Sequence, residues 1–347
     1  MIDLMKYRFD EIIEDCTKYG LKIPTNDYLE KGKFPIIDQG QDFIAGYSNS
    51  DNGIYSDVPA IIFGDHTRIF KYVDFPFFLG ADGVKILKAR KEISYKYLFY
   101  YFLQAKFPNT GYARHYKWLK ELEIPVPTIE KQNSIVNNLD KVTKIIKAHK
   151  ILLEKYDTLI KSRFIEMFEG NKYPRIAISE MVEGKAPSAK KLFNKSDEIK
   201  YIDISSVDNK INEIVDYTEY IFENAPSRAQ QYIRKNDILI STVRPNLKNI
   251  AINKLEYKET VASSGFCVLR PKYVPEYLFI AVLQDKFTSD MVAVTTGANY
   301  PAIKDSDILN YEISNPPLEL QQQFAAFVQR IDKSKFEIEK IVKMVYN

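Results

Sequence analysis

The chain has 347 residues, of which 45% are hydrophobic, 49 are Lys or Arg and 46 are Asp or Glu, a formal net charge of +3. That length is too great for one compact unit and suits two domains of moderate size with accompanying helices, and so small a charge excludes a protein whose overall field alone would hold a nucleic acid. No run approaches the ~18 to 20 apolar residues of a membrane span, and Cys16 and Cys267, with histidines at 66, 115 and 149, offer neither zinc spacing nor a disulfide framework, so no metal and no cofactor is expected.

In chain order, Met1-Ile2-Asp3-Leu4-Met5-Lys6 lacks the charged-then-apolar layout of a signal peptide, and a cytoplasmic protein is expected. Residues 34–37, 60–63, 68–73 and 84–87 read as short strands separated by turns such as Asn49-Ser50-Asp51-Asn52-Gly53. A helix is predicted over 95–107. Pro127-Thr128-Ile129-Glu130-Lys131-Gln132 then opens a long helical pattern that reaches residue 168. The order recurs: strands over 201–204, 238–241, 249–252 and 266–269, a helix over 275–287, and Pro316-Pro317-Leu318-Glu319-Leu320-Gln321 opening a last helix to residue 347. At ~1.5 Å per residue the long helices would run about 58 and about 43 Å.

Glu319 stands 189 residues after Glu130. Behind each opening, mostly apolar residues follow an alternating four-three spacing: Ile135, Leu139, Val142, Ile146, His149, Leu153, Tyr156, Ile160, Arg163 and Met167, then Phe324, Val328, Ile331, Lys335, Ile338, Val342 and Val345. The same offset maps the first seven of the one onto the other, the pattern of a coiled-coil seam. The second lacks a counterpart of 160–168, so the pairing is unequal at one end. Further back, Asp82-Gly83-Val84-Lys85-Ile86-Leu87-Lys88 matches Ser264-Gly265-Phe266-Cys267-Val268-Leu269-Arg270, Tyr97-Leu98-Phe99 matches Tyr277-Leu278-Phe279, and Thr110-Gly111 matches Thr296-Gly297. The offset drifts from 180 to 189 while the order holds, as in two related folds with loops of different length. The layout is domain, long helix, domain, long helix.

Tyrosine and phenylalanine are frequent, 24 and 21, and several stand beside basic residues, as in Tyr112-Ala113-Arg114-His115-Tyr116-Lys117-Trp118. Such clusters stack on bases and contact phosphates; equally, a Tyr-rich β domain packs its rings inward and leaves the charges to solvent. Residues able to present paired donors and acceptors to base edges and falling in loop-like segments are Gln39, Gln41, Tyr47, His66, Arg68, Arg114 and Lys117 in the first copy. In the second they are Lys190, Arg228, Gln231, Arg234, Arg244, Asn246, Lys248, Asn299 and Tyr300. Thr242-Val243-Arg244-Pro245-Asn246-Leu247-Lys248 is the best single stretch, because a turn after a strand exposes Arg, Asn and Lys together; its plain alternative is a polar hairpin.

Two variable segments alternating with two helices, each introduced by Pro-x-x-Glu-x-Gln (Pro127, Glu130, Gln132; Pro316, Glu319, Gln321), resemble the specificity subunit of type I restriction-modification systems. The resemblance implies an α+β chain: two mixed target recognition domains, 1–127 and 171–315, in pseudo-twofold repeat, separated by two long antiparallel coiled-coil helices, 128–170 and 316–347. It implies that each domain reads one half of a bipartite site in double-stranded DNA. The helices would set the spacing and dock two methyltransferase subunits, with restriction and translocase subunits as further partners, no membrane and no catalysis in this chain. Independently, a split target needs two readers held at fixed distance along the duplex. The Glu and Gln of the signature also read as first-turn residues favoured by the helix dipole. The alternative is a two-domain scaffold that binds no DNA. Two enzymatic readings have fragments of motif. Asn315-Pro316-Pro317-Leu318 resembles the Asn-Pro-Pro-aromatic loop of adenine methyltransferases, with Leu318 in place of the ring and no Gly-rich turn for S-adenosylmethionine. Asp237 with Glu256-Tyr257-Lys258 has the spacing of a metal-dependent nuclease.

Overall fold

The computed structural model describes residues 5–80, 83–108, 113–170, 172–297 and 301–346. It divides into two compact units, Met1–Lys147 and Ala148–Asn347. Asp82, Thr110, Gly111, Tyr112, Asn299 and Tyr300 lie outside the described residues.

The first unit comprises β1 (Lys6–Arg8), α1 (Phe9–Ile12), β2 (Ile13–Asp15), β3 (Phe34–Ile37), β4 (Gly46–Ser48), β5 (Ala60–Gly64), β6 (Phe70–Val73), β7 (Phe78–Leu79), β8 (Val84–Ala89), α2 (Tyr95–Leu103), α3 (Tyr116–Leu119) and β9 (Glu123–Pro125). The long helix α4 (Ile129–Phe168) starts here and its later part belongs to the second unit. One sheet has the order β2-β8-β5-β6, antiparallel throughout. A second, β4-β3-β7, contains the parallel pair β3–β7. β5 is buried at all five positions. Its alternate residues feed two cores: Ile61 and Phe63 pack with Phe9, Leu98 and Phe102, whereas Ala60 and Ile62 pack with Ile37, Phe77 and Leu79. A strand covered on both faces therefore reads as a continuous apolar run.

Four predicted boundaries of this unit differ from the structure: β5 and β8 run on to Gly64 and Ala89, and two others fall short. β6 begins at Phe70, not at residue 68, because Arg68 has φ 63 and belongs to the turn. α2, capped by Ser94 accepting the Tyr97 N–H at 3.3 Å, ends at Leu103; Pro108 disfavours helical backbone at residue 107 and the expected extension does not form.

The second unit follows with β10 (Arg175–Ala177), α5 (Ile178–Met181), β11 (Glu198–Ile202), β12 (Val207–Asp208), β13 (Glu213–Ile214), β14 (Thr218–Ile221), β15 (Ala229–Tyr232), β16 (Ile238–Ser241), β17 (Ile250–Ile252), β18 (Thr260–Ser263), β19 (Phe266–Leu269), α6 (Pro275–Val282), α7 (Asp285–Ala293), α8 (Asp305–Leu309), β20 (Glu312–Ser314) and α9 (Leu318–Tyr346). Its larger sheets are β14-β11-β18-β15, with β11 and β18 parallel, and β17-β16-β19, beside the pairs β10-β20 and β12-β13. β11 stops at Ile202, before the predicted end, because the Asp203 carboxylate accepts the Ile204 N–H at 2.6 Å and starts a 3-10 turn. The helix predicted over 275–287 is two helices: Gln284 between them is extended, ψ 145, and Asp285 opens the second, where an acidic first turn is favoured.

Within this unit the later part of α4 and α9 run antiparallel. Phe164 and Phe168 meet Phe324 at ring-centroid distances of 5.6 and 5.4 Å, while Lys335 Nζ pairs with Asp157 at 2.7 Å further along. The seam drifts from the predicted register: Ile160, Phe164 and Phe168 are buried, whereas Arg163 is exposed and Met167 only partly buried. A straight helix of 3.6 residues per turn slips relative to a strict heptad.

The two units build the same corner where a short helix meets a long one. Tyr97 on α2 donates to the Pro125 carbonyl at 2.6 Å, and Tyr277 on α6 donates to the Ser314 carbonyl at 2.5 Å. Gln132 is buried, donating to the Pro127 carbonyl at 2.8 Å and accepting the Ser94 N–H at 2.9 Å. Gln321 is buried likewise and donates to the Pro316 carbonyl at 2.9 Å. The glutamine of the signature is thus a buried clamp on its own lead-in loop.

Candidate nucleic-acid interface

In the first unit, four segments converge at one end of the sheets: the loop after β3, the β5–β6 turn, the Gly83 turn before β8 and the approach to α3. Asp65 joins them. Its N–H donates to the Gly83 carbonyl at 2.7 Å, its carbonyl accepts the His115 N–H at 2.8 Å, and its carboxylate accepts the Tyr116 N–H at 2.7 Å. The hairpin closes where the Gly64 N–H meets the Ile69 carbonyl at 2.8 Å. From the side, the Gln39 Oε1 accepts the His66 N–H at 3.2 Å. Below, the buried Lys71 ammonium donates to the Asp42 carbonyl at 2.6 Å and to the Asp38 carboxylate at 3.4 Å, fixing the loop that carries Gln39 and Gln41. Burial holds that amine below its ordinary pKa against the pull of Asp38. Gly83 meets a backbone need, its φ being +85, and a Cβ there would also displace the His66 and Gln39 side chains, which come within 2.8 and 2.9 Å.

The second unit repeats the frame. The Thr242 N–H donates to the Gly265 carbonyl at 2.9 Å, its carbonyl accepts the Ile303 N–H at 2.9 Å, and the Ser241 N–H closes the hairpin on the Asn249 carbonyl at 2.9 Å. The turn is three residues longer, 242–248 against 65–68. Side chains from the β12–β13 connection support the extra length: Asn209 donates to the Leu247 carbonyl at 2.7 Å, and Asn212 to those of Lys248 and Ile250 at 3.3 and 3.1 Å.

Among the described residues, five besides glycine take positive φ, and three of them are Arg68 (φ 63), Arg244 (φ 51) and Lys248 (φ 53). Arg68 and Lys248 each stand immediately before the residue that closes the hairpin. Left-handed backbone is disfavoured for long side chains and gathers where function demands it. Here it turns basic side chains outward at the same end of both units. Arg68 and Arg244 are exposed; Arg244 is fixed by its N–H on the Pro301 carbonyl at 2.8 Å, and Lys248 is ion-paired with Asp285.

The other predicted positions divide. Gln39, His66, Arg114 and Lys117 belong to the first loop end, with Gln41 exposed on the same loop. Asn246 is exposed on the long turn, and Arg228, whose carbonyl accepts the Ser264 N–H at 2.8 Å, lies beside the Gly265 turn. Lys190 is exposed on a hollow it shares with Ser227 and Gln230. Three positions are placed otherwise. Tyr47 sits within β4 opposite Pro35, a strand position. Gln231 directs its amide to the Ser263 and Phe266 carbonyls at 2.9 and 2.7 Å, clamping the Gly265 turn. Arg234 precedes β16 and so lies at the opposite end of that strand from Arg244. In the aromatic cluster, His115 is buried and Tyr116 packs inward on Phe9, its phenol pushed well above the ordinary range by burial; Lys117 lies over Trp118 at 4.6 Å.

Sequence reasoning missed Asp38, Asp65, Lys71, Asn209 and Asn212. These act by side-chain bonds to segments distant in sequence, which leave no local pattern.

The enzymatic fragments are accounted for by structure. Asp237 is buried and bound by Arg270 through Nε at 2.9 Å and Nη2 at 2.7 Å, while Glu256 pairs with Lys235, so the nuclease spacing is an ion pair and a surface contact. No cluster of His, Cys, Asp and Glu able to hold a metal occurs among the described residues. Asn315 bonds through its N–H to the Pro174 carbonyl at 2.8 Å, and Pro316 receives Gln321, so this segment forms the entry to α9. Among the described residues no helix is long and apolar enough to cross a membrane.

The family model for the type I restriction modification DNA specificity domain matches residues 1–155 and 177–344. The chain is similar to the type I restriction enzyme EcoR124I/EcoR124II specificity subunit of Escherichia coli, 25% identical over 345 residues that cover 92% of this chain and 84% of that one. It is similar to the MjaVIII specificity subunit of Methanocaldococcus jannaschii, 24% identical over 317 residues, 78% and 74% of the two chains. The crystal structure of a type I restriction-modification system S subunit from M. genitalium superposes with a TM-score of 0.59 at 15% identity, over 100% of this chain and 94% of that one, a likeness of fold.

Proposed function

The chain belongs to the type I restriction-modification DNA specificity family, and from that premise we propose that it is the sequence-reading subunit of such a complex, each unit's loop end contacting one half of a bipartite site in double-stranded DNA. The observation that carries the reading is the repeated frame: two hairpins closed by the same backbone bonds, each turning a left-handed basic residue outward. Residues 1–127 and 171–315 are the two target recognition domains, and 128–170 and 316–347 the spacer helices that dock methyltransferase subunits. Gln41, His66, Arg68, Arg114, Lys117, Lys190, Arg228, Arg244, Asn246 and Lys248 are the DNA-facing set, and Gln39 stands behind them, its amide oxygen on the His66 N–H. Methyl transfer and cleavage belong to partner subunits, and the complex works in the cytoplasm on chromosomal and incoming DNA.

Sequencing the methylated adenines of DNA from cells that express the chain with its methyltransferase tests this directly. A bipartite motif with an unspecified gap is the expected result, and random or absent methylation refutes the reading. In the same assay Arg244→Ala relaxes one half of the motif and spares the other, since a bidentate arginine–guanine contact is worth ~1 to 3 kcal/mol of discrimination. Equal weakening of both halves, with a shallower salt dependence, would make Arg244 a phosphate contact.

A further inference from the structure

The shared frame allows the two loop ends to be compared position by position. Ile37 and Ile202 are the last residues of β3 and β11, each in parallel register with its partner strand and each followed by an aspartate. Two residues beyond them stand Gln39 and Ile204. Both side chains lie against the glycine of the neighbouring turn: a Cβ at Gly83 would meet the Gln39 amide at 2.9 Å, and one at Gly265 would meet Ile204 at 2.9 Å. Two residues beyond the hairpin-closing Gly64 and Ser241 stand His66 and Val243. On the return strands, Lys71 lies opposite Ile62 of β5, and Ala251 opposite Leu239 of β16. At all three places the first unit has a polar or charged group and the second an aliphatic one.

The chemistry beneath the two turns therefore differs in kind. In the first unit Lys71 holds the 38–42 loop, Gln39 on that loop holds the His66 N–H, and the short turn ending in Arg68 rests on this chain of hydrogen bonds. In the second, Ile204 and Ala251 belong to an apolar cluster, and the longer turn is held by Asn209 and Asn212 instead. Beneath the first turn a hydrogen-bonded support fixes direction as well as distance, whereas the apolar floor beneath the second fixes distance alone, the Asn209 and Asn212 bonds being made at 247–250.

Resting on the function proposed above, we propose that the units select bases by different devices. The first reads through His66 and Arg68 on a short turn, with Gln39 and Lys71 as positioning residues. The second reads through Arg244 and Asn246 on the extension of its longer turn, above an apolar floor.

The test is the methylation motif of the assembled complex carrying Gln39→Leu, Gln39→Glu or Lys71→Met. The second unit's Ile204 and Ala251 show that this frame accepts aliphatic groups at these places. Gln39→Leu is expected to reduce the preference for the cognate base at one or more first-half positions by about tenfold, the scale of one lost base contact, and to leave the second half unchanged. Lys71→Met has the same expected effect, while Gln39→Glu, which keeps an acceptor for the His66 N–H, retains the preference. The proposal is overturned if Gln39→Leu methylates with its first-half preference intact, if both halves loosen together, or if Gln39→Glu behaves as Gln39→Leu does. Should Lys71→Met abolish methylation through misfolding, the two Gln39 variants decide. Absence of any bipartite motif in the unsubstituted complex would instead remove the underlying function.

Discussion

The corner between short and long helix and the loop end are both present twice, and they diverge to opposite degrees. At the corner the same tyrosine, Tyr97 or Tyr277, reaches the same strand carbonyl, and the same glutamine, Gln132 or Gln321, clamps the same proline loop. Even the link between the helices keeps its place while its chemistry changes. Lys96 and Tyr100 bind Asp140 at 2.7 and 2.6 Å, and Glu276 accepts from Gln329 at 2.7 Å, the acidic group having moved to the other helix. At the loop end the backbone bonds are kept, together with the turn glycine and the aspartate after the parallel strand, while the side chains on and beneath the turns differ. Parts that hold the scaffold tolerate change only in compensated pairs, whereas parts that face outward vary freely on a fixed frame.

The largest effect that would test this contrast concerns one staple made in two ways. Arg270 at the edge of β19 grips the buried Asp237, while its counterpart Lys88, itself 12% exposed, reaches out to Asp57 at 2.8 Å, where the carboxylate is 73% exposed. Arg270→Met leaves a buried carboxylate unpaired and should destabilise the second unit by about 3 to 5 kcal/mol, read from urea unfolding. Lys88→Met should cost less, about 1 to 2 kcal/mol, because the Asp57 carboxylate stays in water and only the Asp57 and Pro59 carbonyls lose a donor. Equal losses would mean that burial does not distinguish the two.

Next come the clamps. Gln132→Leu and Gln321→Leu should each cost about 1 to 3 kcal/mol, because buried loop carbonyls lose their donor. Gln132→Leu should be the worse, since the Ser94 N–H is stranded as well. A neutral result at both would return the signature to a helix-start preference. The smallest effect distinguishes Asp140 from Gln329. Burial pushes the Asp140 carboxyl upward, but the hydrogen bonds from Lys96 and Tyr100 outweigh it and leave the pKa below its ordinary value. A depressed folded pKa gives stability that is present above the unfolded value, near ~4, and is lost as the pH falls through the folded one. Asp140→Asn should therefore flatten the acid limb of the stability curve, and Gln329→Ala should leave it unaltered.

The fold was legible where pattern is local. β16 and β19 were read to the residue because an apolar run flanked by turn residues has few other uses, and the long helices because their spacing persists for many turns. The breaks were not. Gln284 carries no signal that it is extended, and the register of α4 shifts only when Phe164 and Phe168 find Phe324. At the candidate site the basic residues were visible as residue types, but their grouping was not. Arg234 and Arg244 look alike in sequence and lie at opposite ends of one strand. Gln231 resembles a reader until its amide is seen to face two carbonyls, and Lys71 looks like an ordinary strand lysine until it is found buried.

The hairpins that close on Ile69 and Asn249 also bear on how such a chain changes over generations. Because the closing bond is the same, residues inserted between Gly64 and Ile69, or between Ser241 and Asn249, do not disturb the strands behind them. Lengthening a turn from four residues to seven costs roughly 0.5 kcal/mol of closure entropy, less than one well-made side-chain hydrogen bond. Insertions and deletions at these two points are thus nearly invisible to selection on stability. Their fate is decided by what the altered turn touches, so a lineage can try new turns without first having to repair its fold.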